Sequence, residues 1–288
     1  MPAPRRPRPV AAGTQRVLNV AASPPDVWDA LAIGPLEDVD PPVSVDLTAG
    51  RPWYGVRDQG ETGSCVGWAL ADSLMRWHLV NDGRLSPRQR LSARFIWMAS
   101  KEWQAQRIAQ EHETLETLLG EWQPSTFLEE AATTAKDGLE VARLLGAVPE
   151  PVLRWRGPLN RGSEVAFYAR AKEFRIAGYY RVDSGGLEER LRRWRQWLAQ
   201  HGPIMLIVEM DRTMLAGPPV LDRFRARRRA DLHACALTGY DAGGFQLRNS
   251  WGRRWGRGGY ALATTEWLRR AVKESYGVEF PEPPGEGG

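Results

Sequence analysis

The sequence predicts an α+β chain built as two lobes, a helical lobe followed by a strand-rich one. Three observations carry this. From Cys65 to about residue 146, apolar residues recur at helical spacing. From residue 178 onward, short alternating or wholly apolar runs are cut by glycine, proline and aspartate. The chain has 288 residues, enough for one large domain or two lobes sharing a cleft. Helices gathered in one half and strands in the other are the mark of an α+β architecture.

Taken in order, residues 1–22 are rich in Pro, Ala and Arg and are expected to be disordered. A short helix is expected over 24–31, with prolines at its start. Pro35, Pro41, Pro42 and Pro52 predict an extended course over 34–52. Helices are expected at 65–80, 88–103, 106–121 and 136–145; Asn81-Asp82-Gly83 ends the first and Gly146 stands just past the last. A link begins at Glu150-Pro151, and a helix is expected near 163–173. Strands are expected at 178–182, 204–208, 232–240, 244–249 and 258–263, with a helix at 187–200 striped by Leu187, Leu191, Trp194 and Leu198. The expected organisation is an N-terminal segment 1–44, a folded domain 45–275 with a helical lobe over 55–150 and a β lobe over 176–275, and a Pro/Gly-rich tail 276–288.

Composition excludes several classes. Hydrophobic residues make up 42% and charged residues 26%, as in ordinary globular chains. Much of the net charge of +4 sits in Arg5 to Arg8 and Arg223 to Arg229, so it does not argue for a nucleic-acid partner. Two cysteines cannot make a disulfide framework, and no Cys/His spacing fits a metal. No apolar run reaches the roughly 18 residues of a membrane span. The N-terminal arginines precede no apolar stretch, so no secretory signal is expected. A reducing cytoplasm is the expected location.

The stretch from Val56 to Ala69 is a polar turn with Gly60 and Gly63 running into an apolar helix, with Ser64 of a type favoured at an N-cap. Cys65 falls on the first turn of that helix. Unpaired N–H groups and the helix dipole there are expected to lower the thiol pKa and favour a nucleophilic thiolate. A cysteine in this place can equally be a small buried hydrophobe. The apolar run from Leu232 to Tyr240 carries His233. Alone it would more often be a satisfied core histidine. Asn249 follows sixteen residues on, close enough for adjacent antiparallel strands to bring the two side chains together. An asparagine carbonyl accepting the imidazole N–H fixes the tautomer and leaves the other nitrogen for a thiol. Trp251 could cover that bond; otherwise Asn-Ser-Trp-Gly is a turn and a packing tryptophan.

Gln59-Gly60-x-x-Gly63-Ser64-Cys65-x-x-Trp68-Ala69, then His233-Ala234 with Gly239-Tyr240-Asp241, then Asn249-Ser250-Trp251-Gly252-x-x-Trp255-Gly256-x-x-Gly259-Tyr260 resembles the papain-like cysteine peptidases, in that family's order of Gln, Cys, His, Asn. The resemblance covers about residues 45–270. It implies a papain-like fold: a helical N-terminal lobe, an antiparallel barrel-like C-terminal lobe, and the active site in the cleft between them. It also implies Cys65 as nucleophile, His233 as its proton partner, Asn249 as the group orienting His233, and Gln59 as an oxyanion donor. The substrate is then a peptide or protein, and no cofactor is needed. Thr134, Ile207, Ala234 and Trp251 are the positions expected to border the substrate. Oligomeric state is not legible.

The chain departs from the family at several points. Thr62 stands where the first lobe's disulfide cysteine is usual, and Val66-Gly67 follow the nucleophile instead of an aromatic. The Cys-to-His gap is 168 residues (233 − 65), longer than the usual roughly 130–150, with an insertion expected within 100–175. Residues 1–45 do not resemble the long helical propeptide of secreted members, which implies an intracellular bacterial-type branch. Acyl transfer or amide hydrolysis on a special substrate is the alternative chemistry. A non-catalytic binding protein on the same fold is the alternative without chemistry. The Arg223 to Arg229 run is read first as a solvated loop, Cys235 as a packed thiol, and His78, His112 and His201 are given no role.

Overall fold

The computed structural model describes residues 20–24, 36–111, 133–156 and 169–281. Three of the elements expected from sequence, the helices at 24–31, 106–121 and 163–173, fall wholly or mostly outside these residues.

The β lobe is an eight-stranded sheet: β1 (Val45–Asp46), β2 (Gly178–Arg181), β3 (Ile204–Glu209), β4 (Val220–Leu221), β5 (Leu232–Asp241), β6 (Gly244–Arg248), β7 (Tyr260–Ala263) and β8 (Val272–Glu279). The strand order is β2-β8-β3-β5-β6-β7-β4. Strand β1 pairs with β5 at Tyr240 and Gly239, beyond the point where β3 stops at Leu237. The β4–β7 pair is parallel, and the other pairs are antiparallel.

Among the described residues, six α-helical segments accompany this sheet. Helix α1 runs from Cys65 to Asn81 in three continuous pieces: Cys65–Gly67, a wide π-type stretch Trp68–Met75, and Arg76–Asn81. The others are α2 (Ala93–Glu111), α3 (Ala135–Leu144), α4 (Leu187–Gln200), α5 (Arg212–Ala216) and α6 (Thr265–Ala271). Where two helices were expected at 88–103 and 106–121, α2 is one continuous helix through Glu111.

Strand β3 explains the layering. Ile204-Met205-Leu206-Ile207-Val208 is apolar throughout because both faces of the sheet are covered. Met205 and Ile207 join the core shared with α1, α2 and α3, whereas Ile204, Leu206 and Val208 join the core formed with Trp194, Trp197 and Leu198 of α4 and Trp267 of α6. Helix α1 lies against the first face, near β5 and β3. The helix beginning at Cys65 and the strand carrying His233 are therefore neighbours. Gly67 sets how closely α1 meets α2, since a Cβ there would lie 2.3 Å from the Ala93 carbonyl oxygen. That contact also accounts for the absence of a bulky residue at this turn.

The sheet extends further along the chain than the sequence implied. Strand β8 reaches Glu279, so the tail does not begin at residue 276; Tyr276 and Val278 are fully buried. The prolines just beyond hid the alternation of Val272, Glu274, Tyr276 and Val278. Strands β1 and β4 and helices α5 and α6 were not anticipated either, being too short for periodicity to register. Among the described residues no helix is long and apolar enough to cross a membrane, and no group of His, Cys, Asp and Glu could hold a metal.

Candidate active site

The loop before α1 is tied by its own polar groups. The Gly60 N–H donates to Asp58 Oδ1 at 2.9 Å, with Gly60 at φ +68°, a conformation glycine adopts freely. Gln59 Nε2 donates to the Thr62 carbonyl at 2.6 Å. Ser64 holds the N-cap position, but its hydroxyl pairs with Thr62 Oγ1 at 2.7 Å and does not cap the helix. The N–H groups of Cys65 and Val66 are directed instead at the Cys65 sulfur, as is the N–H of Ala234 from β5. The sulfur therefore sits against the residue next to His233, 169 positions along the chain (234 − 65).

Burial pushes the Cys65 thiol up to about 11, against the pull of the Ala234, Val66 and Cys65 N–H groups. The lowered pKa expected from the helix terminus is thus corrected. The side chain is 0% exposed, and desolvation of a thiolate outweighs three backbone donors. Cys235 is also raised, by burial first and then by Cys65.

His233 and Asn249 come together as their spacing implied. Asn249 Oδ1 lies 2.8 Å from His233 Nε2 and accepts the Ser250 N–H at 2.8 Å. An atom that accepts from a backbone N–H is the carbonyl oxygen of the amide, so His233 Nε2 carries the proton and Nδ1 is the basic nitrogen. The Trp251 ring lies over the imidazole with centroids 4.7 Å apart. Both His233 and Asn249 are buried.

Ser250 was not singled out from sequence, yet it joins the two halves. Its hydroxyl donates to Gln59 Oε1 at 2.6 Å, and its carbonyl accepts the Gln59 N–H at 2.8 Å. Its backbone N–H holds Asn249, as above. A second link is buried beneath the first. Arg248, on β6 next to Asn249, donates from Nη2 to Asp72 Oδ2 at 2.7 Å and from Nη1 to Ser73 Oγ at 2.6 Å. Asp72 and Ser73 lie in the π-type stretch of α1, where Arg76 N–H reaches back five residues to the Ala71 carbonyl. Arg90 also bonds Asp72. Sequence offered no signal for this link beyond two opposite charges far apart.

Of the positions expected to border substrate, Ile207 and Ala234 face each other across β3 and β5 in the core that includes Cys65. Thr134 lies at the start of α3. Its hydroxyl caps α3, accepting the Asp137 N–H at 3.0 Å and donating to Asp137 Oδ2 at 2.6 Å, so its side chain is committed to the helix. The carbonyl of the neighbouring Thr133 accepts the Ala21 N–H at 3.0 Å. The arginine run is pinned down. Arg227 and Arg229 both pair with Asp231, and the Arg225 N–H donates to Asp211 Oδ2 at 2.7 Å.

Residues 162–278 match the model of the papain family cysteine proteases. Over 92% of its length the chain is similar in structure to xylellain, a cysteine protease from Xylella fastidiosa, covering 96% of that protein with a TM-score of 0.66 at 20% sequence identity. It is likewise similar to the Carica candamarcensis cysteine protease CMS1MS2 (TM-score 0.57, 17% identity, 83% of this chain and 99% of that one). A third similar structure is digestive procathepsin L 3 of Tenebrio molitor (TM-score 0.58, 16% identity, 85% and 72%). No curated protein matches the chain in sequence. The family model matches the second lobe, and the fold is papain-like over nearly the whole length of the chain.

Proposed function

We propose that the protein hydrolyses peptide bonds with Cys65 as nucleophile, His233 as general base and acid, Asn249 as the group that orients His233, and Gln59 as an oxyanion donor. The observation that carries this is the His233–Asn249 hydrogen bond, which commits Nε2 to Asn249 and leaves Nδ1 as the proton acceptor.

In the resting protein the buried thiol is neutral. As substrate enters, Cys65 Sγ gives its proton to His233 Nδ1 and attacks the carbonyl carbon. Negative charge then gathers on the carbonyl oxygen, within reach of the Cys65 N–H and the second N–H of Gln59 Nε2. The imidazolium protonates the leaving amine as the C–N bond breaks, giving a thioester. Water, deprotonated by His233, attacks the thioester, and the thiol is regenerated. Trp251 keeps bulk water off the His233–Asn249 bond. Ile207 and Ala234 favour an apolar substrate side chain beside the scissile residue. The two free cysteines fit a reducing compartment, as in the cytoplasm.

Exposing a mixed peptide library to the protein and to Cys65→Ala, with products read by mass spectrometry, tests this. Cleavage by the first and not the second supports it; equal product patterns contradict it. Added amine appearing in the products would favour acyl transfer.

A further inference from the structure

Resting on the peptidase reading above, we propose that an arginine-lined cleft beside the Gln59 loop selects acidic peptides, by holding substrate carboxylates at positions away from the scissile bond. The cleft has a volume of about 960 Å³ and is lined by Arg57, Arg88, Arg90, Arg154, Arg156 and Arg170. Asp58 and Glu150 are the acids on its wall. Six arginines against two carboxylates leave this concavity strongly positive. A cleft lined by one sign of charge focuses the field and draws ligands of the opposite sign.

The acids in the cleft are already engaged. Arg57 Nη1 donates to both Glu150 carboxylate oxygens, at 2.6 Å and 2.7 Å, and Asp58 Oδ1 accepts the Gly60 N–H at 2.9 Å. Arg90 bonds Asp72, which Arg248 also holds. Arg88, Arg154, Arg156 and Arg170 are exposed and pair with no acid among the described residues. Guanidinium groups gathered without counter-charge repel one another, and a ligand carrying carboxylates relieves that repulsion. The planar fork of arginine also matches a carboxylate in shape, so several such groups in one cleft favour a peptide with more than one Asp or Glu.

The fold assembles the cleft from segments that the sequence holds apart. Leu91 and Pro149 form an antiparallel bridge, the Glu150 N–H donates to the Arg90 carbonyl at 2.8 Å, and Arg94 Nη1 donates to the Arg154 carbonyl at 3.2 Å. Residues 88–90 and 154–156 are thereby set side by side. The wall then runs on to the candidate site. The Arg57 guanidinium lies 5.6 Å from the centre of the Trp68 ring, and Trp68 meets Trp155 edge-on at 4.9 Å. Trp68 stands about one helical turn along α1 from Cys65. On the other flank the Arg57 carbonyl accepts the Gly252 N–H at 3.0 Å, and Asp58 is bridged to Trp251, whose ring lies over His233. A peptide reacting at Cys65 therefore has the arginines within a few residues' reach of its scissile bond.

The test offers two peptide libraries, one containing Asp and Glu and one with Asn and Gln in their place, to the full-length protein and to two double variants. These are Arg154→Gln with Arg156→Gln, and Arg154→Glu with Arg156→Glu; thermal unfolding midpoints confirm that each is folded, and the first serves if the second is unstable. Fluorescence anisotropy of a labelled Glu-rich peptide and its Gln counterpart on Cys65→Ala reads binding without cleavage. At low ionic strength the parent is expected to cleave the acidic library about tenfold faster or more than the amide library. That preference is expected to shrink in about 0.5 M salt and in the Gln variant, and to reverse in the Glu variant, with the amide library cleaved at an unchanged rate. Equal cleavage of both libraries by the parent, or a preference that both variants keep, overturns the cleft and leaves the peptidase reading standing. Preferential binding of the Glu-rich peptide to Cys65→Ala, with neither library cleaved by the parent, supports the cleft and overturns the peptidase reading. Neither binding preference nor cleavage overturns both.

Discussion

Asp72 and Arg248 meet at 2.7 Å in the interior, the first on the helix that begins at Cys65 and the second on the strand that ends beside Asn249. Burial alone would raise the Asp72 carboxyl. Arg248, Arg90 and Arg76 overcome that and hold it below the usual carboxylate range. The pair ties the helix of Cys65, the proposed nucleophile, to the strand beside Asn249, the proposed orienting group, so the geometry of the candidate site is set partly by a buried ion pair away from it.

Asp72→Asn is therefore expected to destabilise the protein by about 3–5 kcal/mol, since it leaves buried arginine without its counter-charge. Denaturant unfolding measures this. The pH dependence follows from the sign of the shift. A carboxyl with a depressed folded-state pKa contributes stability that is complete above its unfolded value, about 3.9, and is lost as pH falls further. Acid unfolding setting in below about pH 4 in the parent, and a flatter profile in Asp72→Asn, is the expected pattern.

Ser250→Ala removes the hydroxyl held by Gln59 and leaves the backbone contacts in place. The loss of one hydrogen bond is expected to cost about 0.5–1.5 kcal/mol of stability. The larger effect is expected on kcat, with KM less changed, because Gln59 would act on charge that develops only in the transition state. Steady-state kinetics on a cleaved peptide separate the two.

The Cys65 thiol, raised by burial from 9.0 to about 11, is expected to stay protonated at neutral pH in the resting protein. Ultraviolet thiolate absorbance, taken as the difference from Cys65→Ser, should be absent at pH 7 and grow only above pH 9. Stability follows the same sign: the raised folded-state value favours the native chain below the unfolded pKa and is lost as pH climbs through about 11. A thiolate signal at neutral pH in the resting protein would contradict the geometry described.

Gly67→Ala places a methyl group 2.3 Å from the Ala93 carbonyl oxygen, a contact that α1 and α2 can relieve only by moving apart. Overpacking of this kind is expected to cost about 1–3 kcal/mol. A lowered thermal midpoint, with slower labelling of Cys65 as the helix shifts, is the expected outcome.

What could be read from the sequence follows from range. Helix α4 and strands β3, β5 and β6 announce themselves because periodicity acts within a dozen residues. Cys65, His233 and Asn249 are legible because each lies in a local motif, and two of them share neighbouring strands. Asp72 and Ser250 were missed for the opposite reason: each acts through a partner more than a hundred positions away and leaves no local pattern. The thiol misled because a helix terminus was weighed without the burial that surrounds it, and desolvation proved the larger effect.

The central claim is that Cys65 and His233 react as a pair across the cleft. Labelling by a thiol-directed epoxide, mapped by mass spectrometry in the protein with and without His233→Ala, tests it most directly. The account predicts modification at Cys65 that falls on the order of 10²-fold or more when the imidazole is removed. Modification at an undiminished rate without His233, or at Cys235 instead, would contradict it.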